Sequence, residues 1–241
     1  SILRTMDSGI FASYWFETGT PTYLVTLLKQ GKCDLSEMAS TVTDVETLDS
    51  VYGDDEPIPV IYQSGYLTIK GYDPRFESYT LGFPNKEVEE GFMKFLVPYY
   101  TPIRKSATNF EIQKFVREIE TGNVDAFMTR LQSFMADTPY ELIRDQELHY
   151  QNVLFIVSKL LGFYVQVEYR TSQGRIDLLL QTDKFVYIME FKLEGSAEEA
   201  LKQIEDRNYA APFASDTRKV IKVGVNFSSQ TRNIDRWLIS E

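Results

Sequence analysis

The sequence predicts an α/β protein whose two halves differ in character. Its first half reads mainly as helices with one hairpin among them. The last hundred residues follow the order helix, three strands, helix, strand. Two of those strands are apolar on both faces yet carry charged residues near one end, which is typical of a covered sheet with a functional site.

Periodicity and capping signals define the elements of the first half. Residues 34–37 have capping-box spacing and predict a helix through about Val42, and Pro57–Gln63 predicts another. Strands are expected at 66–70 and 79–83 around a turn at 71–74, with a helix after Asn85. Two amphipathic helices at 109–121 and 123–135 follow, and their expected core residues are Phe110, Phe115, Ile119, Phe127, Leu131 and Phe134.

The second half begins with a helix predicted over residues 141–161. Glu147 is the only acid on its apolar face, which also carries Tyr150. A strand at 163–170 turns back at 171–174 into the strand of Asp177. A helix opens at Ser196, with Glu199 at the capping-box position, and a last apolar strand covers 219–225.

Two apolar runs, 174–180 and 186–192, form the predicted central hairpin. If its turn is centred on residues 183 and 184, Asp177 lies opposite Glu190. Facing carboxylates are roughly 5 Å apart and repel each other, but a divalent cation would convert that repulsion into coordination. Lys192 lies two residues after Glu190 and so on the same face. The alternative is an exposed ion pair between Glu190 and Lys192, which would contribute little.

Composition limits the chemistry that this site can use. Hydrophobic residues make up 43% of the 241, and no apolar run approaches the roughly 20 residues that span a bilayer. No signal-peptide pattern is seen at the N-terminus, so a cytoplasmic location is expected. The single Cys33 and the single His149 exclude thiolate zinc clusters and multi-histidine sites. Any metal must therefore be held by oxygen.

The net charge of −10 is unevenly distributed. Residues 1–140 carry 12 basic and 20 acidic side chains, a net charge of −8, whereas residues 141–241 carry 13 and 15, a net charge of −2. Binding to phosphates requires Lys and Arg, so nucleic acid is a more plausible partner for the second part. The acidic N-terminal half suggests contact with a second copy or with another protein.

The arrangement of Glu147 on the first helix, Asp177 on the second strand and Glu190-Phe191-Lys192 on the third resembles the PD-(D/E)XK nuclease superfamily. Ile176 stands where that motif has proline. Segments 174–177, 190–192, 197–204 and 223–228 are similar to the nuclease-like domain at the C-terminus of bacterial AAA-ATPase-like proteins.

Segments 18–24, 62–69 and 82–88 are similar to the end of the ATPase-like region itself. No G-x-x-x-x-G-K-[ST] loop occurs in the 241 residues. We therefore expect the C-terminal part of a longer protein, without ATP hydrolysis by these residues.

This resemblance implies three regions: an ATPase-like, winged-helix-like region at 1–105, a helical pair at 106–139 and a restriction-endonuclease-like α-β-β-β-α-β domain at 140–241. A winged helix can bind DNA, but this one lies in the acidic half, so protein contact or packing is favoured over DNA binding. The implied activity is metal-dependent hydrolysis of DNA or RNA, with DNA favoured. The alternative is a non-catalytic module that binds nucleic acid or protein on the same fold.

The resemblance also assigns roles to individual residues. Asp177, Glu190 and the backbone carbonyl of Phe191 would hold Mg²⁺ or Mn²⁺, and Glu147 would orient the attacking water or assist a second ion. Lys192 would align or deprotonate that water. Gln203 and Tyr150 would position the lysine, water or phosphate. The alternatives are a solvated Glu147, an exposed Gln203 and a Tyr150 that belongs to the core.

Overall fold

A computed structural model of the chain describes residues 33–38, 41–50, 57–136, 146–162, 164–172, 175–193 and 195–241, together with Leu24, Leu27 and Leu28. For residues 146–147, 168–172 and 175–177 it describes the backbone alone. These ranges form a mixed α/β structure with a three-stranded and a five-stranded sheet. None of the helices within them has the length and apolar character needed to cross a bilayer.

The small sheet belongs to the N-terminal half. Its elements, with the helices around them, are α1 Leu35–Met38, β1 Val42–Thr43, α2 Val45–Asp49, α3 Pro57–Gln63, β2 Thr68–Asp73 and β3 Ser78–Gly82. The predicted continuation of the first helix to Val42 is wrong, because Val42 pairs with Thr80 across β1 and β3. The predicted turn at 71–74 is also misplaced: β2 continues to Asp73, and the chain reverses at 74–77, where Glu77 has φ 49°.

Three longer helices follow: α4 Lys86–Tyr100, α5 Thr108–Glu120 and α6 Val124–Met135. The Asn85 side chain caps α4 by accepting a 2.9 Å hydrogen bond from the amide of Val88. Gly122, at φ +79°, makes the break between α5 and α6. The expected core residues of this pair are buried except Phe110, which is 57% exposed. Phe110 lies on the outer side of α5, where the ammonium group of Lys114 is 4.2 Å from the centre of its ring.

The C-terminal region forms the five-stranded sheet with one helix before it and one within it. Its elements are α7 Gln146–Leu161, β4 Gln166–Ser172, β5 Arg175–Gln181, β6 Phe185–Leu193, α8 Ala197–Asp206, β7 Lys219–Ser228 and β8 Asn233–Ser240. The strand order is β4-β5-β6-β7-β8, with β6 and β7 parallel and the other neighbours antiparallel. The predicted order of elements is confirmed, and β8 is a further strand that was not predicted.

The central strand β6 contributes to two hydrophobic clusters. Tyr187, Met189 and Phe191 belong to the main core, which also contains residues of α4 to α7. Val186 and Ile188, which alternate with them, pack with Ile204 of α8 in a second cluster. Residues Val186 to Phe191 are all buried, which explains why the strand is apolar on both faces.

Polar contacts fix the N-terminal helices to the C-terminal region. Asn152 on α7 accepts a hydrogen bond from the amide of Leu35 and donates one to the carbonyl of Cys33, both at 2.9 Å. Tyr187 on β6 donates from its hydroxyl to the carbonyl of Ile119 on α5. These contacts place α1, α5 and α7 in fixed positions around the sheet that carries the predicted site.

Candidate active site

The predicted acids lie opposite each other on the two strands of the central hairpin. The backbone of Asp177 on β5 is paired with that of Glu190 on β6, and Leu180 is paired with Tyr187. This is the register predicted from a turn at Asp183. On the other side of β6, Glu190 is paired with Gly224 of the parallel strand β7. Glu190 therefore lies in the middle of the sheet with a strand on each side.

The Glu190 side chain points to the α8 face and is 1% exposed. It alternates along β6 with Phe191, whose ring packs on the opposite face at 5.7 Å from that of Phe227. A carboxylate at this depth requires compensating partners, because transfer of an unpaired charge out of water is strongly unfavourable. Because all residues from Val186 to Phe191 are buried, the Glu190 carboxylate is shielded from water. Its negative charge must therefore be compensated by neighbouring side chains.

Two side chains supply those partners. The ammonium group of Lys192 lies 3.2 Å from Oε1 of Glu190, and the side-chain amide of Gln203 donates a hydrogen bond to the same oxygen. Lys192 also donates to the side-chain oxygen of Gln203. Each of these three residues thus contacts the other two. Lys192 is 19% exposed at its side chain, so the arrangement is not an exposed surface ion pair.

Helix α8 brings Gln203 to this cluster because Gly224 allows close packing. A Cβ atom at Gly224 would be 2.2 Å from the carbonyl oxygen of Ala197 and 2.7 Å from the amide nitrogen of Leu201. Since these are backbone atoms of α8, no side-chain rotation could make room. Sequence reasoning did not single out Gly224, although an isolated glycine within a strand is a signal for close backbone approach.

The N-terminus of α8 is fixed by a capping box. Ser196 accepts a hydrogen bond from the amide of Glu199, and the Glu199 carboxylate accepts one from the amide of Ser196. This confirms the predicted cap. Before it, Gly195 lies close to Lys192: a Cβ atom there would be 3.0 Å from the Cβ of Lys192. The short connection from β6 to α8 thus sets where the helix begins relative to the lysine.

Glu147 and Tyr150 both lie on α7. Glu147 lies in the first turn of α7, and its side chain, like that of Asp177, is outside the described part of the chain. Tyr150 is 2% exposed, and its ring stacks on Phe227 at 4.9 Å, on the face of the sheet opposite Glu190. Tyr150 is therefore a core residue, in line with the alternative given for it.

The donor atoms fit a hard divalent ion better than a soft one. The Glu190 carboxylate, the carboxyl group of Asp177 on the paired strand and the main-chain carbonyl of Phe191 are all oxygen donors, as Mg²⁺ and Mn²⁺ prefer. Among the described side chains, no three His, Cys, Asp or Glu residues form a metal-binding group. A group of three such residues at this site would need both Asp177 and Glu147, whose side chains are outside the described part of the chain, in addition to Glu190.

His149 is not part of the candidate site. It is 8% exposed, and its ring stacks on that of Tyr100 of α4 at 6.1 Å. Burial lowers the pKa of His149 to about 4, so the imidazole is neutral at pH 7. The lone histidine thus belongs to the packing between α4 and α7.

The chain is similar to a protein whose function its description does not give. The chain is 30% identical over 243 aligned residues to a protein of Azotobacter chroococcum mcd 1 described as an uncharacterized protein in the vnfD 5′ region. The alignment covers 95% of this chain and 46% of that protein, so the chain spans about half of its relative's length. No solved structure matches the chain.

A family match covers the region that contains Glu190, Lys192 and Gln203. The PD-(D/E)XK nuclease superfamily matches residues 145–237, which extend from the start of α7 into β8 and include Asp177, Glu190, Lys192 and Gln203. The C-terminal region of this chain therefore belongs to the PD-(D/E)XK nuclease superfamily.

Proposed function

We propose that this protein hydrolyses phosphodiester bonds of DNA or RNA in a metal-dependent reaction at the site formed by Glu190, Lys192 and Gln203. The observation that carries the proposal is the buried contact of Glu190, Lys192 and Gln203, with the backbone of Asp177 paired to that of Glu190. A purely structural sheet has no need of a charged residue at this depth, because an apolar side chain would be as stable there or more so.

In this proposal Asp177 and Glu190, with the carbonyl of Phe191, hold Mg²⁺ or Mn²⁺. Such an ion, when bound, lowers the pKa of a water molecule and polarises a phosphoryl oxygen. Lys192 orients the attacking water and stabilises negative charge that develops on the phosphate. Gln203 holds Lys192 and Glu190 in a fixed relative position, and Glu147 orients the water from the start of α7.

A cleavage assay on the intact chain tests the proposal. Labelled single-stranded and duplex DNA, and RNA, are incubated with Mg²⁺ or Mn²⁺ and, separately, with EDTA. Cleavage is expected with the metals and absent with EDTA. Asp177→Ala should abolish it, whereas Asp183→Ala, in the exposed turn of the same hairpin, should not. Cleavage that persists in Asp177→Ala would contradict the proposed site, because it would come from another part of the protein or from a contaminant.

The second candidate is a non-catalytic module that binds nucleic acid or protein through the nuclease fold. The acidic N-terminal half favours it, because a net charge of −8 over residues 1–140 repels phosphates and suits a protein partner or a second copy. Binding without cleavage under every metal condition would support this reading. We further propose that residues 1–105 are the winged-helix-like end of an ATPase-like region, joined by the pair at 106–139 to the nuclease domain at 140–241.

A further inference from the structure

A line of hydrogen-bond donors crosses the sheet beside Glu190. The pairing of strands places Lys192 of β6 next to Asn226 of β7, and Asn226 next to Arg236 of the edge strand β8. On the other side, the backbone of Arg175 in β5 is paired with Lys192. We refer to Arg175, Lys192, Asn226 and Arg236 as the donor row. It lies two residues beyond Glu190 along β6, a separation of roughly 7 Å.

The described members of the donor row lie on the face that carries Glu190. Lys192 contacts Gln203 of α8, and Nη1 of Arg236 is 2.9 Å from Oε1 of Glu198, also on α8. Oriented so that its nitrogen faces the loop before α8, the Asn226 amide donates a 2.8 Å hydrogen bond to the carbonyl of Gly195. Their contacts with one helix and its preceding loop place all three on the same side of the sheet.

The chemistry and the length of the donor row suit a polyanion. Guanidinium, ammonium and amide groups all donate hydrogen bonds to phosphate oxygens, and two of the three described side chains are cations. Neighbouring strands are about 4.8 Å apart, so Lys192 and Arg236 are separated by roughly 10 Å. Phosphates of one strand rise about 3.4 Å per nucleotide along a duplex, so this span can contact more than one phosphate.

Arg236 is available for such a contact. Its side chain is 60% exposed, and that of its partner Glu198 is 52% exposed. An ion pair in this environment contributes little to stability, because water and salt screen it. Exchange of the Glu198 carboxylate for a phosphate would therefore cost little. Glu198 also repels an approaching phosphate, so its charge is expected to weaken binding.

We propose that nucleic acid lies along the donor row and that Arg236 binds a phosphate away from the bond that is cleaved. This inference rests on the proposed function and adds to it the path of the substrate. It predicts effects of opposite sign for the two members of the exposed pair. Loss of Arg236 should weaken binding, whereas neutralisation of Glu198 should strengthen it.

Fluorescence anisotropy with short labelled DNA and RNA, in EDTA and in Ca²⁺, measures the effect. Each phosphate contact on duplex DNA contributes about 0.9 to the slope of log K against log salt. Arg236→Gln should therefore reduce that slope by about 0.9 and raise Kd about eightfold at about 0.1 M salt. Glu198→Gln should lower Kd.

Arg218→Gln is a control for the loss of an arginine charge elsewhere on the same domain, at a less exposed ion pair. Arg218 is also paired with a carboxylate, Asp216, but it precedes β7 at the end of the strand far from Asn226. Its substitution should leave Kd and slope unchanged. Equal effects of Arg236→Gln and Arg218→Gln, or no effect of Arg236→Gln, would overturn the assignment while leaving cleavage by the unmodified protein as evidence for the proposed function. If the unmodified protein neither binds nor cleaves, the proposed function fails, and the donor row fails with it.

Discussion

Substitution of Gly224 by alanine should displace the side chains of the candidate site without changing any of the residues that form it. The new Cβ atom would lie 2.2 Å from a backbone oxygen of α8, where ordinary contacts begin near 3.4 Å. Helix α8 must therefore move away from the sheet by about 1 Å, and overpacking of this kind costs about 1–3 kcal/mol of unfolding free energy. Because Gln203 is on the same helix, its contacts with Glu190 and Lys192 should be lost.

The expected result is a fall in kcat/KM of about 100-fold, the effect of a misplacement of about 1 Å in a catalytic site. Cleavage is measured with the substrate that the unmodified protein prefers, and unfolding is measured with urea. Gly71→Ala in β2 is the matched control, since its Cβ atom would be 3.8 Å from the nearest atom, a side-chain carbon of Thr80. That variant should retain both stability and cleavage.

A double-mutant cycle distinguishes displacement of Gln203 from general destabilisation. If Gly224→Ala acts through Gln203, then Gln203→Ala alone should reduce cleavage to a similar extent, and the double variant should be little worse than either. Additive losses would show that Gly224 affects the site by another route. Normal cleavage by a folded Gly224→Ala variant would refute the idea that close packing of α8 sets the site.

Three further predictions concern charge and packing. Lys192→Met should reduce kcat/KM by at least about 100-fold. It should also lower the unfolding free energy by about 3–5 kcal/mol, because Glu190 remains buried without its cation; unchanged stability in urea would contradict this. Asn152→Ala should cost about 2–4 kcal/mol in the same assay, since a buried hydrogen bond with Leu35 and a partly buried one with Cys33 are lost; a loss below 1 kcal/mol would show that they contribute little. Hydrogen bonds from the side chain and the amide of Arg218 lower the pKa of Asp216 to about 2. The contribution of Asp216 to stability is therefore present above pH 3.8 and is lost as the pH falls toward 2. NMR titration should show this pKa rise part of the way toward 3.8 in Arg218→Gln, and an unchanged value would exclude the Arg218 side chain as the cause.

Local sequence signals were sufficient where the interactions that form an element are themselves local. The helix at Pro57–Gln63, the cap at Ser196 and the register of the central hairpin were all predicted correctly, because capping and short turns involve residues close in sequence. The prediction for Val42 was wrong because its secondary structure depends on a residue that is distant in sequence. Val42 joined a strand because β3 offered it a partner, and no local signal in residues 34–42 contains that information.

Whether an individual side chain is buried or exposed depended on the tertiary structure more than the secondary-structure elements did. Phe110 has the spacing of a core residue, but it is 57% exposed and contacts the ammonium group of Lys114 on the outer side of α5. Gln203 was as compatible with an exposed helix surface as with a role in the site. The close approach of α8 over Gly224 decided between these alternatives, because it brings the amide of Gln203 into contact with Glu190.

The sequence by itself determined the order of the C-terminal elements, the pairing of Asp177 with Glu190 and the requirement that any metal be held by oxygen, since periodicity, turn position and composition are properties of the chain. Only the tertiary structure decided how deeply Glu190 is buried, which residues compensate its charge and that Asn226 and Arg236 continue the line of Lys192 across the sheet. These facts depend on long-range contacts, such as the pairing of Lys192 in β6 with Asn226 in β7 and the ion pair of Glu198 in α8 with Arg236 in β8, which local sequence patterns do not specify.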